Sequence, residues 1–422
     1  MATIPTLPVI VRSVPPPPVY SRHTMSVDLA DPETYTTGMP HDEFRRLRRE
    51  SPVSWQPEPG GAGFWAVTRH ADVLAVLKNP RTFSSWKGGA LINDPPAAFL
   101  ERLREGMLNR DPPDHTGLRR LVNKAFNPKR VSQLEQRVAA RARTVIEGLG
   151  GSGTCDFARD VAGDLPMFVI CEILGVPHED RSRLSALTER MLTTNAIDRA
   201  AAFEDGMAAA MEMRGYGAEL GRQRRASPQD DLISDLLAAE VDGRQLTQGE
   251  FEAFFMLLFN AGTDTTRSLL CLGLDLLIDR PQVHARLRAE PSLIPAAIEE
   301  MLRFEPPVIQ FRRTATQSTE LAGTLIEEAD KVVVFFPSAN RDEKVFANPD
   351  HFDLDRAPND HLAFGYGTHY CVGAPLARLG AKHLFTELLM RHRRIERTGA
   401  YVPARTNFIR AARSLPISYS AL

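Results

Sequence analysis

Two short stretches of this sequence hold the residue types from which chemistry is made. The first is Phe364-Gly-Tyr-Gly-Thr-His-Tyr-Cys-Val-Gly373, which runs into Ala374-Pro-Leu-Ala-Arg378 and a long helical pattern. Pro375 stands where a first-turn proline is favoured, so Cys371 lies just ahead of a helix N-terminus, where N–H groups and the helix dipole favour a thiolate. The glycines let the backbone fold tightly round a sulfur and approach a flat ligand closely. A single cysteine cannot close a zinc site, and His369 is too near in sequence to complete one without further ligands. Three chemistries stay open for Cys371: a redox thiol, a nucleophile, or one axial ligand to iron.

The second stretch is Ala261-Gly-Thr-Asp-Thr-Thr266, set among Phe254, Leu257, Leu258, Leu269 and Leu270. Glycine, aspartate and threonine are poor helix formers, so their place inside an apolar helical pattern implies a local distortion. Either the threonine hydroxyls bond back to carbonyls and nothing more follows, or the buried Asp264 carries a raised pKa suited to handling protons.

Elements must exist to hold these groups. Thr247-Gln-Gly-Glu250 is a capping box, and the helical pattern from it lasts to Arg280-Pro281, roughly 33 residues or about 50 Å. Further helical patterns run from Pro128 to Leu149, Asp156 to Ile173, Ala200 to Leu220 and Pro375 to Arg391. Strand patterns are short: Gly63-Phe-Trp-Ala-Val-Thr68, and Leu321 to Phe336 with its run Lys331-Val-Val-Val-Phe-Phe. From Phe336 to Phe364 the chain reads as a structured coil. Gly148-Leu-Gly-Gly-Ser-Gly153 has dinucleotide-site spacing, but it follows a helical pattern instead of a strand, so a helix-ending loop is expected.

With 43% hydrophobic and 25% charged residues, the 422-residue chain has the composition of a globular protein with a substantial core. A net charge of −2 gives no field that points to nucleic acid as a partner. No stretch has the ~20 apolar residues that span a bilayer. The four cysteines, at 155, 171, 271 and 371, are too sparse for a disulfide framework, which suits a reducing cytoplasm. Residues 1–27, with Ser13-Val-Pro-Pro-Pro-Pro18, read as an extended, poorly ordered leader, not a signal peptide.

Taken together, the residues resemble the cytochrome P-450 superfamily. Its signature Phe-x-x-Gly-x-x-x-Cys-x-Gly is met at each fixed position from Phe364 to Gly373. Glu300-Met-Leu-Arg303 matches its Glu-x-x-Arg motif, and Phe352-Asp-Leu-Asp-Arg356 resembles the coil whose arginine completes a Glu–Arg–Arg network. Ala261 to Thr266 matches the acid–alcohol element of the oxygen-binding helix. His115-Thr-Gly-Leu-Arg119 resembles the bacterial His-x-x-x-Arg contact to a haem propionate. Arg313 and His369 match further propionate contacts, with Arg312 as the alternative to Arg313.

The resemblance implies a mainly α protein with small β-sheets, the triangular P-450 fold, with one domain over residues 28–422. Haem b would lie between the long helix and the cysteine loop, with Cys371 as iron ligand and His115, Arg119, Ala261, Arg313, Phe364, His369 and Gly373 around it. Asp264 and Thr265 would pass protons to dioxygen, and their presence together favours an oxygen-dependent monooxygenase over a peroxygenase. Electrons would reach the haem from NAD(P)H through a separate ferredoxin and ferredoxin reductase. The basic residues Lys124, Lys129 and Arg130, or Arg391-His-Arg-Arg394, are candidate docking points. Trp86, Leu91, Ile92, Val308, Ile309 and Phe408 would line an apolar pocket. The expected substrate is a steroid, terpenoid or branched lipid, with a polyketide or aromatic metabolite second, and the expected state is a monomer. A non-catalytic haem sensor or carrier, and a haem-free cysteine nucleophile acting with His369, are the rival classes.

Overall fold

The computed structural model describes residues 27–125, 128–193 and 200–421, the side chains of 124–131 and 192–203 excepted. All of the Pro-rich leader except Val27 lies outside the described residues. Helices dominate, and the periodic stretches appear as Pro128–Gly148, Asp164–Leu174, Ala200–Ala226 and Ala374–Arg391. The second of these starts later than its pattern suggests. Asp156 accepts hydrogen bonds from the N–H groups of Ala158 and Leu415, which ties Ser152–Asp156 into a strand against Pro416–Ala421. A π-helical turn, Ala158–Ala162, then bridges strand to helix. Gly148 to Gly153 is the link between helix Pro128–Gly148 and this strand, as expected for a helix-ending loop.

The largest sheet has five strands in the order Val53–Gln56, Phe64–Val67, Lys331–Phe335, Gln310–Ala315 and Phe83–Ser84. Phe64–Val67 and Lys331–Phe335 pair in parallel, and the other neighbours are antiparallel. Both faces are covered, which is why the central strand is an unbroken apolar run. Val332 and Val334 join one cluster with Trp65 and Phe336, while Val333 and Phe335 join another with Leu29, Phe44 and Ile309. A third and larger cluster gathers the helices round the long one.

That long helix, Gln248–Ile278, has 31 residues. Its capping box is formed: the Glu250 N–H donates to Thr247 Oγ1 at 3.2 Å, and the Thr247 N–H donates to Glu250 Oε2 at 3.0 Å. The helix runs unbroken through the acid–alcohol segment, where composition implied a local distortion. Its glycines serve close packing instead. A Cβ on Gly262 would lie 2.4 Å from Ile170 Cδ1, and one on Gly273 would lie 2.7 Å from Met301 Sδ and 2.9 Å from Phe385 Cζ.

The coil ahead of the cysteine loop is fixed by one buried carboxylate. Glu300 takes a two-pronged pair from Arg303, at 2.7 and 2.8 Å, and both its oxygens accept from Arg356 Nε at 3.1 Å. The N–H of Asp353 donates to it at 3.0 Å, and the Asn359 amide at 3.2 Å. Arg303 also donates to the carbonyls of Asn340, Pro349 and His351, and Arg356 donates to that of Ala347. Removing one member strands the others' charges in a dry site, so Glu300→Ala should cost about 3–5 kcal/mol in chemical denaturation. A loss below about 1 kcal/mol would show that the network is not what holds this coil.

Candidate active site

The cysteine loop is built by its glycines. Gly365 and Gly367 take φ of +70° and +66°, and a Cβ on Gly367 would lie 2.8 Å from the carbonyl oxygen of Leu77. The Cys371 N–H donates to the Phe364 carbonyl at 3.0 Å, which closes the loop over the sulfur. Gly373 caps helix Ala374–Arg391, and its N–H and that of Ala374 point to Sγ.

The free thiol does not behave as its position alone suggests. Burial raises its pKa by more than the Gly373 and Ala374 N–H groups, Arg119 and Arg378 lower it. A nucleophile needs the opposite shift. His369 offers no base either: its Nε2 lies 3.3 Å from Ser85 Oγ, its ring stacks on His115 at 4.2 Å, and burial drives its pKa well down. The dipole and N–H groups are present as expected, and a cation bound at the sulfur would add to their stabilisation of a thiolate.

Cys371 opens onto a cavity of about 970 Å³. At one end stand His115, Arg119 and Arg313. His115 is 1% exposed, and neither ring nitrogen has a partner among the described residues. Arg313 is buried and donates to the Arg312 carbonyl at 2.7 Å, and desolvation lowers its pKa to about 10. Arg119 donates to the Tyr370 carbonyl at 2.7 Å and to Asn123 Oδ1 at 3.0 Å. Neither Arg119 nor Arg313 has a carboxylate within ion-pair distance among the described residues. A flat group with a metal at its centre and carboxylates on its edge fits this donor set: sulfur on one face, cations at the rim. Arg312 turns away to Asp94 at 2.6 Å, so Arg313 is the one that reaches the cavity. Asp111 was not foreseen. It accepts from Ser84 Oγ at 2.5 Å and the Ser85 N–H at 2.8 Å, and it is the nearest acidic influence on Arg313. A lone aspartate in a coil carries no sequence signal of that kind.

The opposite wall is the long helix, with Ala261, Asp264 and Thr265 on the cavity. Thr263, Thr265 and Ser268 donate their hydroxyls to the carbonyls of Phe259, Ala261 and Asp264, so back-bonding and the buried acid occur together. Asp264 is 4% exposed, and burial lifts its pKa from 3.8 to about 7, Glu189 adding to the rise and Arg267 opposing it.

Of the expected pocket residues, Leu91, Ile92, Val308 and Phe408 line the cavity, and so does Phe364. Trp86 does not: it is 42% exposed, with the Arg104 guanidinium over its ring at 4.3 Å. Ile309 does not either; it is fully buried on the other side of the sheet edge beside Leu29 and Phe335, because its neighbour Val308 takes the inward position. Met207, Ala210 and Met211 of helix Ala200–Ala226 add apolar lining that no motif announced.

Two further expectations concern charge. The side chains of Lys124, Lys129 and Arg130 also lie outside the description. The Arg391 to Arg394 cluster is largely neutralised: Arg391 pairs with Glu387 and Glu147, Arg394 pairs with Glu396, and His392 is buried. Among the described residues no helix is long and apolar enough to cross a membrane.

Fold and site together define a haem-thiolate protein, and the comparisons agree. The family model for cytochrome P450 matches residues 17–398. The chain is 34% identical to a steroid C26-monooxygenase of Rhodococcus jostii, covering 93% of this chain and 84% of that one. It is 37% identical to a methyl-branched lipid omega-hydroxylase of Mycobacterium tuberculosis, over 89% and 90%. The structure of cytochrome P450 CYP109Q5 from Chondromyces apiculatus superposes with a TM-score of 0.84 at 36% identity, covering 94% and 98%. The chain belongs to the cytochrome P450 family. It is a haem-dependent monooxygenase that uses dioxygen.

The raised pKa of Asp264 carries a stability consequence. Its protonated form favours the fold, so this contribution is complete below the ordinary 3.8 and is lost as pH rises through about 7. Asp264→Asn, neutral throughout, should therefore gain stability relative to the parent protein above about pH 7, with the advantage shrinking toward acid. Thermal unfolding across that range checks it, and parallel curves for the two proteins would refute the shift.

Proposed function

We propose that residues 28–422 act as one unit that inserts an oxygen atom into a hydrophobic small molecule, with steroids, terpenoids and branched lipids as the first substrate class. The observation that carries this is a single, largely apolar cavity with Cys371 on one wall and Asp264 with Thr265 on the other. Relatives named for steroid and methyl-branched lipid oxidation support the same class. In this reading Cys371 would ligate the iron, and His115, Arg119, Arg313 and His369 would hold the haem propionates. Phe364, Gly373 and Ala261 bound the space that the ring fills, and Glu300, Arg303 and Arg356 hold the coil beneath it.

Bound haem supplies the oxidising chemistry, and the thiolate's electron donation favours O–O cleavage. The chain's own part is placement and protons. Asp264, half-protonated near neutral pH, holds a proton at the cavity wall. Thr265 spends its hydroxyl hydrogen on the Ala261 carbonyl, which leaves its oxygen lone pairs to accept a hydrogen bond from the cavity side. The apolar walls keep bulk water from the site.

Electrons are proposed to come from NAD(P)H through a separate ferredoxin reductase and ferredoxin, with the protein a cytoplasmic monomer. Thr265→Ala should then keep the haem and bind substrate, but waste reductant. With ferredoxin, its reductase and an accepted substrate present, product formed per NADH consumed should fall by about tenfold or more. An unchanged ratio would remove Thr265 from the proton path. Label from ¹⁸O-enriched dioxygen should appear in the product, and label from water instead would contradict the oxygen-insertion reading.

A further inference from the structure

The outer part of the cavity contains an exposed cation with no counter-charge among the described residues. Arg102 lies in the short helix Ala97–Leu103 and, with Phe99 and Leu103, lines the cavity. Both carboxylates beside it in sequence are committed elsewhere. Glu101 pairs with Arg104 at 2.5 Å, and Glu105 pairs with Arg214 at 2.7 Å. Arg104 is further held over Trp86, to whose carbonyl it donates at 3.1 Å. Arg214, the other cation of this part, is matched by Glu252 as well, at 2.7 Å. Arg102 has neither an ion pair nor a hydrogen bond among the described residues. Among the described residues Asp264 is the one carboxylate that lines the cavity, and it belongs to the opposite end.

The two ends can be placed along the long helix. Gly106, just beyond the Arg102 helix, faces Ala253, with an ideal Cβ 3.9 Å from the Ala253 Cβ. Gly273, toward the other end, packs against Phe385 of the helix that follows Cys371. Ala253 and Asp264 are thus about 16 Å apart at 1.5 Å per residue, with the apolar side chains of Met256 and Leu257 between them on the cavity wall. An extended apolar body fits that interval, with its reactive end near Asp264 and its other end near Arg102.

We propose that Arg102 is the head-group site for the substrate, and that the cavity takes an elongated apolar molecule ending in a carboxylate. Arg102 is exposed at the mouth of the cavity, and its guanidinium presents paired donors that match the two oxygens of a carboxylate. A neutral steroid or terpene leaves the same cation unmatched. The proposal rests on the monooxygenase reading of the cavity and narrows its substrate class.

The test uses the haem-loaded protein and the spectral shift of the haem on titration with dodecanoate or with methyl dodecanoate. Dodecanoate should bind about tenfold more tightly than the ester, and added salt should narrow the gap. Arg102→Ala should abolish the preference by weakening the acid alone, Arg102→Lys should retain part of it, and Arg102→Glu should reverse it. Equal affinities in the parent protein, no binding of either probe, or equal weakening of both by Arg102→Ala would overturn the assignment. The carbon monoxide spectrum of each preparation reports the haem–sulfur bond separately. An intact spectrum with no acid preference sinks the Arg102 site alone, whereas a spectrum without thiolate character sinks the reading beneath it.

Discussion

A fully buried glutamate sets the position of everything on the sulfur side of this enzyme. Glu300 binds two arginines, a backbone N–H and an amide, and the arginines in turn bind carbonyls along the coil from Asn340 to His351. The coil has no sheet or helix to satisfy its backbone, so the guanidinium groups take that part. The segment that follows can then bend sharply at Gly365 and Gly367 and bring Cys371 to a helix N-terminus at the cavity wall. Charges in this site are costly to bury, and they are retained as a complete set because an incomplete one would be worse.

The cavity is organised by where polar groups are left unmatched. At the rim of the sulfur end His115 and Arg313 are buried with no carboxylate partner among the described residues. A protonatable acid stands on the facing helix, its pKa raised by the same burial that makes the site dry. A further unmatched cation, Arg102, stands at the far end. Between these points the lining is largely apolar. Burial thus acts in two directions: it disfavours the free thiolate, leaving room for a metal cation to complete it, and it keeps a proton on Asp264 near neutral pH.

Much of the site was legible in the sequence, because its parts are local motifs. The capping box, the Phe364 to Gly373 loop, the Glu300–Arg303 spacing and the acid–alcohol segment each lie within about ten residues, and their chemistry follows from residue type and order. What the sequence hid depends on contacts across hundreds of residues. Ile309 and Val308 are both apolar, and only the sheet's position decides that Val308 faces the cavity. Trp86 looked like pocket lining until Arg104 stacked on it at the surface. Arg312 and Arg313 are separated by a partner, Asp94, that lies more than two hundred residues earlier in the chain. Gly262 suggested a bend by composition, whereas its cause is the close approach of Ile170. The glutamate that faces Arg391 from a distance, Glu147, likewise lies on another helix.

The central claim is that Cys371 ligates haem iron as a thiolate despite a surrounding that raises the free thiol's pKa. The carbon monoxide difference spectrum of the dithionite-reduced protein tests it most directly. A Soret band shifted strongly to the red in the parent protein, and absent from Cys371→Ser, is the result this account predicts. A band at the position usual for histidine-ligated haem in the parent protein, or a red-shifted band that survives in Cys371→Ser, would contradict it.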